Sequence, residues 1–169
     1  NVEIRYYPVD ASLRPVFLPE IARTEWVYLI NYYGQYQKSE ICEWAEQFHL
    51  ILDNVQAFYT KPLDGLDTVY TCRKFFGVPD GAYLYTESVL PEELEQDSSC
   101  TRLEYLMGRF EHSANAFYGA YQQHEEQLGT LPIRWMSKVT HNLLRTIDYE
   151  RAKHARENNF AYLHKGFGA

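Results

Sequence analysis

Residues 50–86 read LILDNVQAFYTKPLDGLDTVYTCRKFFGVPDGAYLYT, and this stretch decides the fold. Residues 50–53 are three apolar side chains followed by a carboxylate. That is the pattern of a strand buried on both faces and ending in a charge. Residues 68–72 and 82–86, rich in Thr, Val and Tyr, are two further strands. Between them, residues 77–81 (GVPDG) hold the Gly and Pro that punctuate a turn. Upstream, residues 26–32 (WVYLINY) form another nearly continuous apolar run, closed by Gly34. Ser39 is a candidate N-cap for a helix over 40–48, with Ile41, Trp44, Ala45 and Phe48 on one face. Strands alternating with a helix predict an α/β fold built from βαβ units around a mostly parallel sheet.

Residues 3–9 extend this half with a short strand, and 10–20 form a loop broken by Pro15 and Pro19. The second half changes character. Residues 92–128 carry helical spacing, with Leu103, Leu106, Met107, Phe110, Ala114 and Phe117 as an apolar stripe. Residues 129–132 interrupt it. Helices over 137–147 and 149–163 follow, the latter dense in charge on one face. The expected organisation is a partial α/β large domain over 1–90, a helical insertion or divergent stretch over 91–131, and a helical segment over 132–169.

The 169 residues are 46% hydrophobic and 16% aromatic, a globular composition. A net charge of -7 with no basic run argues against nucleic acid and anionic membranes as partners. No apolar stretch approaches the roughly 20 residues of a membrane span, and no secretory signal is visible. The chain opens on Asn1 in strand-like sequence, which reads as an internal segment. Cys42, Cys72 and Cys100 are odd in number and widely spaced, so neither a disulfide framework nor a zinc site is indicated, and a reduced, cytoplasmic protein is expected. His49, His112, His124, His141, His154 and His164 show no HxH or HExxH spacing; they read as solvated helix-face residues, with no metal expected.

Four residues carry chemistry. Asp53 ends an apolar strand, where open α/β sheets place ligands; a carboxylate there either caps the next loop or faces a cationic ligand group, such as a protonated pyridine nitrogen. Gln56, three residues on, offers an amide to the same ligand, or is a plain turn residue. Lys74, between a strand and a Gly-rich turn with Phe75 and Phe76 beside it, is either a surface lysine or a partly desolvated amine able to form a Schiff base. Thr71 is an ordinary strand threonine or a hydroxyl donor to a phosphate.

The order of these elements resembles the DegT-like sugar-nucleotide aminotransferases, which are pyridoxal-phosphate enzymes of fold type I. The run VYLINYYGQYQKSEICEWAEQFHLILDNVQAFY, followed by DTVYTCRKFFGVPDGAYLYT, is similar to that family's Tyr-Gly-Gln element (Tyr33-Gly34-Gln35), short helix, strand ending in Asp53, and Gln56 three residues later. The strand, Lys74, the turn at Asp80-Gly81 and the strand over 82–86 continue the match. The resemblance implies a three-layer large domain with pyridoxal 5'-phosphate held by Lys74, Asp53, Gln56 and Thr71. Lys74 would be the catalytic residue, Asp53 would pair with the pyridine nitrogen, Gln56 would pack near the ring hydroxyl, and Thr71 would bind phosphate. It further implies transfer of an amino group from a glutamate-like donor to a keto sugar nucleotide, of the kind used in polysaccharide biosynthesis, by a homodimer whose sites lie at the subunit interface. Residues 133–164 (IRWMSKVTHNLLRTIDYERAKHARENNFAYLH) look like the family's passage from large to small domain. There Arg134 and Met136 flank Trp135, and no Asn precedes Arg134. A non-catalytic relative serving as a binding or regulatory module, and an unrelated α/β interaction protein, are the other readings. The phosphate carries about two negative charges, and Thr71 and Arg73 are few donors for it. The resemblance implies that the chain is a middle fragment of such an enzyme, and with so few phosphate donors it is expected to lack aminotransferase activity by itself.

Overall fold

The computed structural model describes residues 2–17, 20–89 and 93–168. It divides into two compact units, Asn1–Phe75 with Ala82–Leu90, and Phe76–Gly81 with Pro91–Ala169.

The first unit is an α/β layer. Its strands are β1 (Trp26–Ile30), β2 (His49–Asp53), β3 (Asp67–Thr71) and β4 (Ala82–Tyr85), with helix α1 (Lys38–Gln47) between the first two. The four form one sheet in the order β1-β2-β3-β4. The first two pairings are parallel and the last is antiparallel. The sheet is thus mostly parallel, as the sequence predicts. The βαβ unit β1-α1-β2 is there because parallel neighbours need a long crossover. The second crossover, residues 54–66, makes its return without a helix.

Alternation along the strands builds the core. Val27, Leu29, Leu50 and Leu52 are buried together with Ile41 of α1, Tyr36 and Leu66. Phe17 closes this cluster, its ring 4.7 Å from Phe48, 5.6 Å from Tyr7 and 6.0 Å from Trp44. The run over 26–32 is not buried on both faces, however: Trp26 is 61% and Tyr28 47% exposed. Only the face carrying Val27 and Leu29 packs against the core cluster. The strand also ends early, because Asn31 turns the chain into a 3-10 turn, Tyr32–Gly34. Gly34 has φ +70°, which glycine adopts without penalty.

Helix α1 starts two residues earlier than Ser39 suggests. Its cap is Gln37, whose backbone N–H donates to Glu40 Oε2 at 2.7 Å in a capping box. Arg14 Nε donates to the same Glu40 carboxylate at 2.8 Å. Residues 3–9 are not a strand; Val9 makes a single bridge to Pro15. The Asp10 carboxylate accepts from the Ser12 and Arg14 amides, each at 2.8 Å, and so holds a turn instead of a ladder. Pro19 and the start of the helical stretch at Glu92 lie outside the described residues.

The second unit holds α2 (Glu104–Glu111), α3 (Tyr118–Leu128), α4 (Lys138–Arg145) and α5 (Tyr149–Phe167). The helical spacing over 92–128 is split: a 3-10 turn at Cys100–Arg102 precedes α2, and residues 112–117 separate α2 from α3. The expected apolar stripe is not the buried face, since Met107 and Phe110 are exposed. Tyr105, Gly108 and His124 are buried instead. Gly108 is needed there because a β-carbon would stand 2.3 Å from the Phe117 ring. Ser137 caps α4, accepting from Thr140 N at 3.1 Å, and Asp148 caps α5, accepting from Arg151 N at 2.9 Å.

This unit is organised around Asp80. Its Oδ2 accepts from Ser99 Oγ at 2.6 Å and from Arg102 Nε and Nη2 at 3.0 and 2.7 Å. Its Oδ1 accepts from Thr140 Oγ1 at 2.5 Å. Arg102 also pairs with Asp97. Among the described residues no helix is long and apolar enough to cross a membrane.

Candidate functional site

The register fixes which side chains share a face. Ile30 stands opposite Asp53, and Asp53 opposite Val69. Side chains alternate along a strand, so Asp53, Val69 and Thr71 lie on the face opposite the Val27–Leu29 core. Asp53 and Thr71 are the last residues of the adjacent parallel strands β2 and β3. This is the carboxyl edge of the sheet, where α/β proteins bind ligands. Gln56 and Lys74 follow on the loops that leave these two strand ends.

Asp53 is only 6% exposed. Its Oδ1 accepts from Val55 N at 2.7 Å, so it does cap the following loop. That uses one of about four lone-pair positions on the carboxylate. Its backbone carbonyl accepts from Asn31 N at 3.0 Å, tying the ends of β1 and β2. Asn31 Nδ2 donates to Asn54 Oδ1 at 2.9 Å, and Asn31 Oδ1 accepts from Tyr36 N at 3.2 Å. Asn54 Nδ2 is buried and turns toward the Tyr70 phenol without completing a hydrogen bond.

Gln56 is half-buried, and its Oε1 is buried with no hydrogen-bond partner. An orphaned acceptor of that kind costs about 1–3 kcal/mol. A ligand hydroxyl or N–H would satisfy it. Thr71 is half-buried at the end of β3. Lys74 is exposed, in a turn closed by Phe75 N donating to Cys72 O at 3.1 Å. Of the two readings of Lys74, the exposed one holds in this structure, and the Phe75 ring turns away into an aromatic cluster. In that cluster Phe75 lies 5.5 Å from Phe58 and 6.0 Å, edge-on, from Tyr59, while Phe58 also meets Tyr70 and Tyr83. The loop after β2, with Gln56, is thereby packed on the loop after β3, with Lys74.

Two residues of this edge escape sequence reasoning. Tyr28 shares the Asp53 face, and its phenol is pushed up to about 12 by burial first, then by the nearby charge of Asp53. Tyr7 donates its hydroxyl to Tyr28 O at 2.8 Å and is also pushed up, chiefly by burial. Period-two alternation places Tyr28 on one face of its own strand. Only the register, which no local pattern specifies, brings it beside Asp53.

In the second unit, His124 is buried rather than solvated, one ring nitrogen on the Pro79 carbonyl and its ring stacked 4.9 Å from Tyr105. It lies on the face of α3 that packs inward.

By donor type alone the set suits a pyridine ring: a buried carboxylate, a buried amide oxygen with no hydrogen-bond partner and an exposed amine come from adjoining strand ends and the loops that leave them. No family model, curated protein or solved structure matches the chain.

Proposed function

We propose that the chain carries the ring-binding half of a pyridoxal-phosphate aminotransferase site, within a three-layer fold of the DegT-like kind. The observation that carries this reading is the Phe58–Phe75 contact at 5.5 Å. It joins the loop after Asp53 to the turn of Lys74, so that a carboxylate, an unsatisfied amide oxygen and an amine serve one sheet edge.

Pyridoxal phosphate, when bound, supplies an electron sink for carbanions formed beside its carbonyl group. This chain's residues would do the rest. Asp53 keeps a proton on the ring nitrogen by charge pairing, in a site where a buried carboxylate needs a cationic partner. Gln56 Oε1 accepts from the ring hydroxyl. Thr71 donates to the phosphate. Lys74 Nζ is the amine that joins the cofactor and the base that takes and returns the proton at the substrate carbon. The substrates proposed are a glutamate-like donor and a keto sugar nucleotide, in a cytoplasmic homodimer.

A second reading, a non-catalytic relative that keeps the fold as a binding module, is favoured by the exposure of Lys74. One experiment separates them. The protein is incubated with pyridoxal phosphate, reduced with borohydride and mapped by mass spectrometry. Preferential labelling of Lys74 over Lys38, Lys61, Lys138, Lys153 and Lys165, lost in Asp53→Ala, supports the enzyme. Cofactor binding without Lys74 labelling supports the module. Labels spread evenly over the lysines sink both.

A further inference from the structure

We propose that the outer half of α5 is a self-docking surface, on which a second copy of this chain lays its own α5 antiparallel about a two-fold axis. This names the interface of the homodimer proposed above and stands without the cofactor reading. Tyr149, Lys153, Arg156, Phe160, Leu163 and Phe167 follow one another at alternating spacings of four and three, the pattern of a helix face that packs along another helix. The start of this stripe rests on its own unit: Tyr149 and Lys153 are half-buried, and the Tyr149 ring meets Phe76 at 5.2 Å. From His154 to Gly168 the stripe runs on with every residue exposed. Phe160, Leu163 and Phe167 stay 70%, 51% and 87% exposed. Helices in proteins draw most of their stability from a packed face, and an exposed apolar patch marks an interaction site.

A second copy is the occupant because the stripe complements itself, and in one orientation. In a parallel pair each stripe residue meets its own counterpart, so Arg156 would face Arg156. In an antiparallel pair centred between Phe160 and Leu163, Phe160 meets Leu163 of the second copy and Arg156 meets Phe167 of the second copy. The two-fold makes each contact twice. The guanidinium then lies against an aromatic ring instead of another cation. On the flank, Glu157 comes opposite His164, a carboxylate beside an imidazole. Large aromatic side chains carry about 150–250 Å² each, so the paired stripes and their flanks cover on the order of 1,000 Å². That area is at the low end for a specific interface, so the pair is a reversible one of micromolar affinity.

The test is sedimentation equilibrium of the whole chain across the micromolar range. The mass should rise with concentration from 19.9 kDa toward twice that value. Phe160→Glu and Leu163→Glu should each hold the chain monomeric. Tyr162→Glu, at a side chain 80% exposed on the opposite side of the helix, should leave the association unchanged. None of these side chains is buried, so the substitutions spare the core of the unit. The orientation is tested by charge: His164→Glu sets a carboxylate against Glu157 of the second copy and should weaken the pair about tenfold, the symmetry counting the contact twice. Adding Glu157→Lys to it should restore the pair. A chain that stays monomeric throughout overturns the proposal, including one that instead binds vesicles of phosphatidylserine and phosphatidylcholine through α5, which would give the stripe to a lipid surface. Association that survives both stripe substitutions, or that Tyr162→Glu disrupts equally, places the interface elsewhere and overturns it as well. A double variant that stays as weak as His164→Glu overturns the antiparallel register. None of these outcomes touches the labelling of Lys74, so the cofactor reading stands or falls separately.

Discussion

Asp80→Ala should be the most destabilising single change in the second unit. Asp80 is 7% exposed and is the shared acceptor for Ser99, Arg102 and Thr140, of which Ser99 and Thr140 are fully buried. Removing it strands a cation: the Arg102 side chain retains only 10% exposure. Breaking a buried pair from one side costs about 3–5 kcal/mol. The two hydroxyls add on the order of 1 kcal/mol each at most. They do not add fully, because the single Ser99 hydroxyl proton can turn to Ser137 Oγ, 2.5 Å away, once Asp80 is gone, and Arg102 keeps Asp97. The expected loss is therefore about 3–5 kcal/mol. Asp80→Asn, which retains an oxygen for Thr140 but no charge for Arg102, should lose roughly half as much. The assay is urea unfolding combined with hydrogen exchange read by mass spectrometry. Protection should fall in α2 and α4, which carry or adjoin the partners, and hold in β1 to β3. A loss below about 1 kcal/mol, the scale of an ordinary surface change, would refute the reasoning. So would a loss of protection confined to the sheet.

Leu52→Ala should cost about 2–5 kcal/mol in urea unfolding, because Leu52 is fully buried between Leu29 and the α1 side of the core and leaves a cavity; a cost under about 1 kcal/mol would show a core loose enough to collapse. Acid should weaken the second unit through Asp97. Burial pushes that carboxyl up, but the Arg102 hydrogen bond, the Ser98 amide and the charges of Arg102 and Arg134 carry it below its ordinary 3.8. A depressed carboxylate stabilises the fold above the unfolded value and loses that contribution as pH falls through the folded one. The stability gap between wild type and Asp97→Asn should thus close below about pH 4; a gap that is constant with pH counts against it.

The sheet was legible in the sequence because burial leaves a local mark. The runs over 26–32 and 50–53 mark β1 and β2, and Thr, Val and Tyr at 68–72 and 82–86 mark β3 and β4. What the runs hid was their two-sidedness. Trp26 and Tyr28 are as apolar as Val27 and Leu29, so composition reads the strand as covered on both faces, whereas exposure separates them. The strand expected over 3–9 failed for a complementary reason: β-propensity cannot supply a partner, and just after it Asp10 holds the Ser12 and Arg14 amides in a turn. The helical half was less legible. Its stripe from Leu103 to Phe117 has helical spacing, but the buried groups are Tyr105 and His124. Asp80 organises the unit from a turn that reads only as Gly-Pro punctuation, and its partners Ser99, Arg102 and Thr140 lie 19, 22 and 60 residues away. No window of local sequence contains such a network.

The candidate site shows why the same register serves both stability and chemistry. A parallel strand whose two faces were equally filled would leave its terminal carboxylate no approach. In β1 and β2 the residues facing α1, Val27, Leu29, Leu50 and Leu52, are buried in the core cluster. The alternate residues Tyr28, Ile30, Ile51 and Asp53 form a surface that is less covered toward Trp26 and closes toward Asp53. Desolvation thus rises along the strand and is greatest where the charge sits. A charge in that position needs a partner, and the Val55 amide supplies a donor but no positive charge. A cationic ring nitrogen would complete the balance. A one-residue slip of β1 against β2 would keep every hydrogen-bonding strand yet send Tyr28 to the opposite face from Asp53. The arrangement therefore depends on the pairing Ile30–Asp53, and the hydrogen bond from Asn31 Nδ2 to Asn54 Oδ1 just beyond it, at 2.9 Å, is placed to hold that register at the end where the chemistry is proposed.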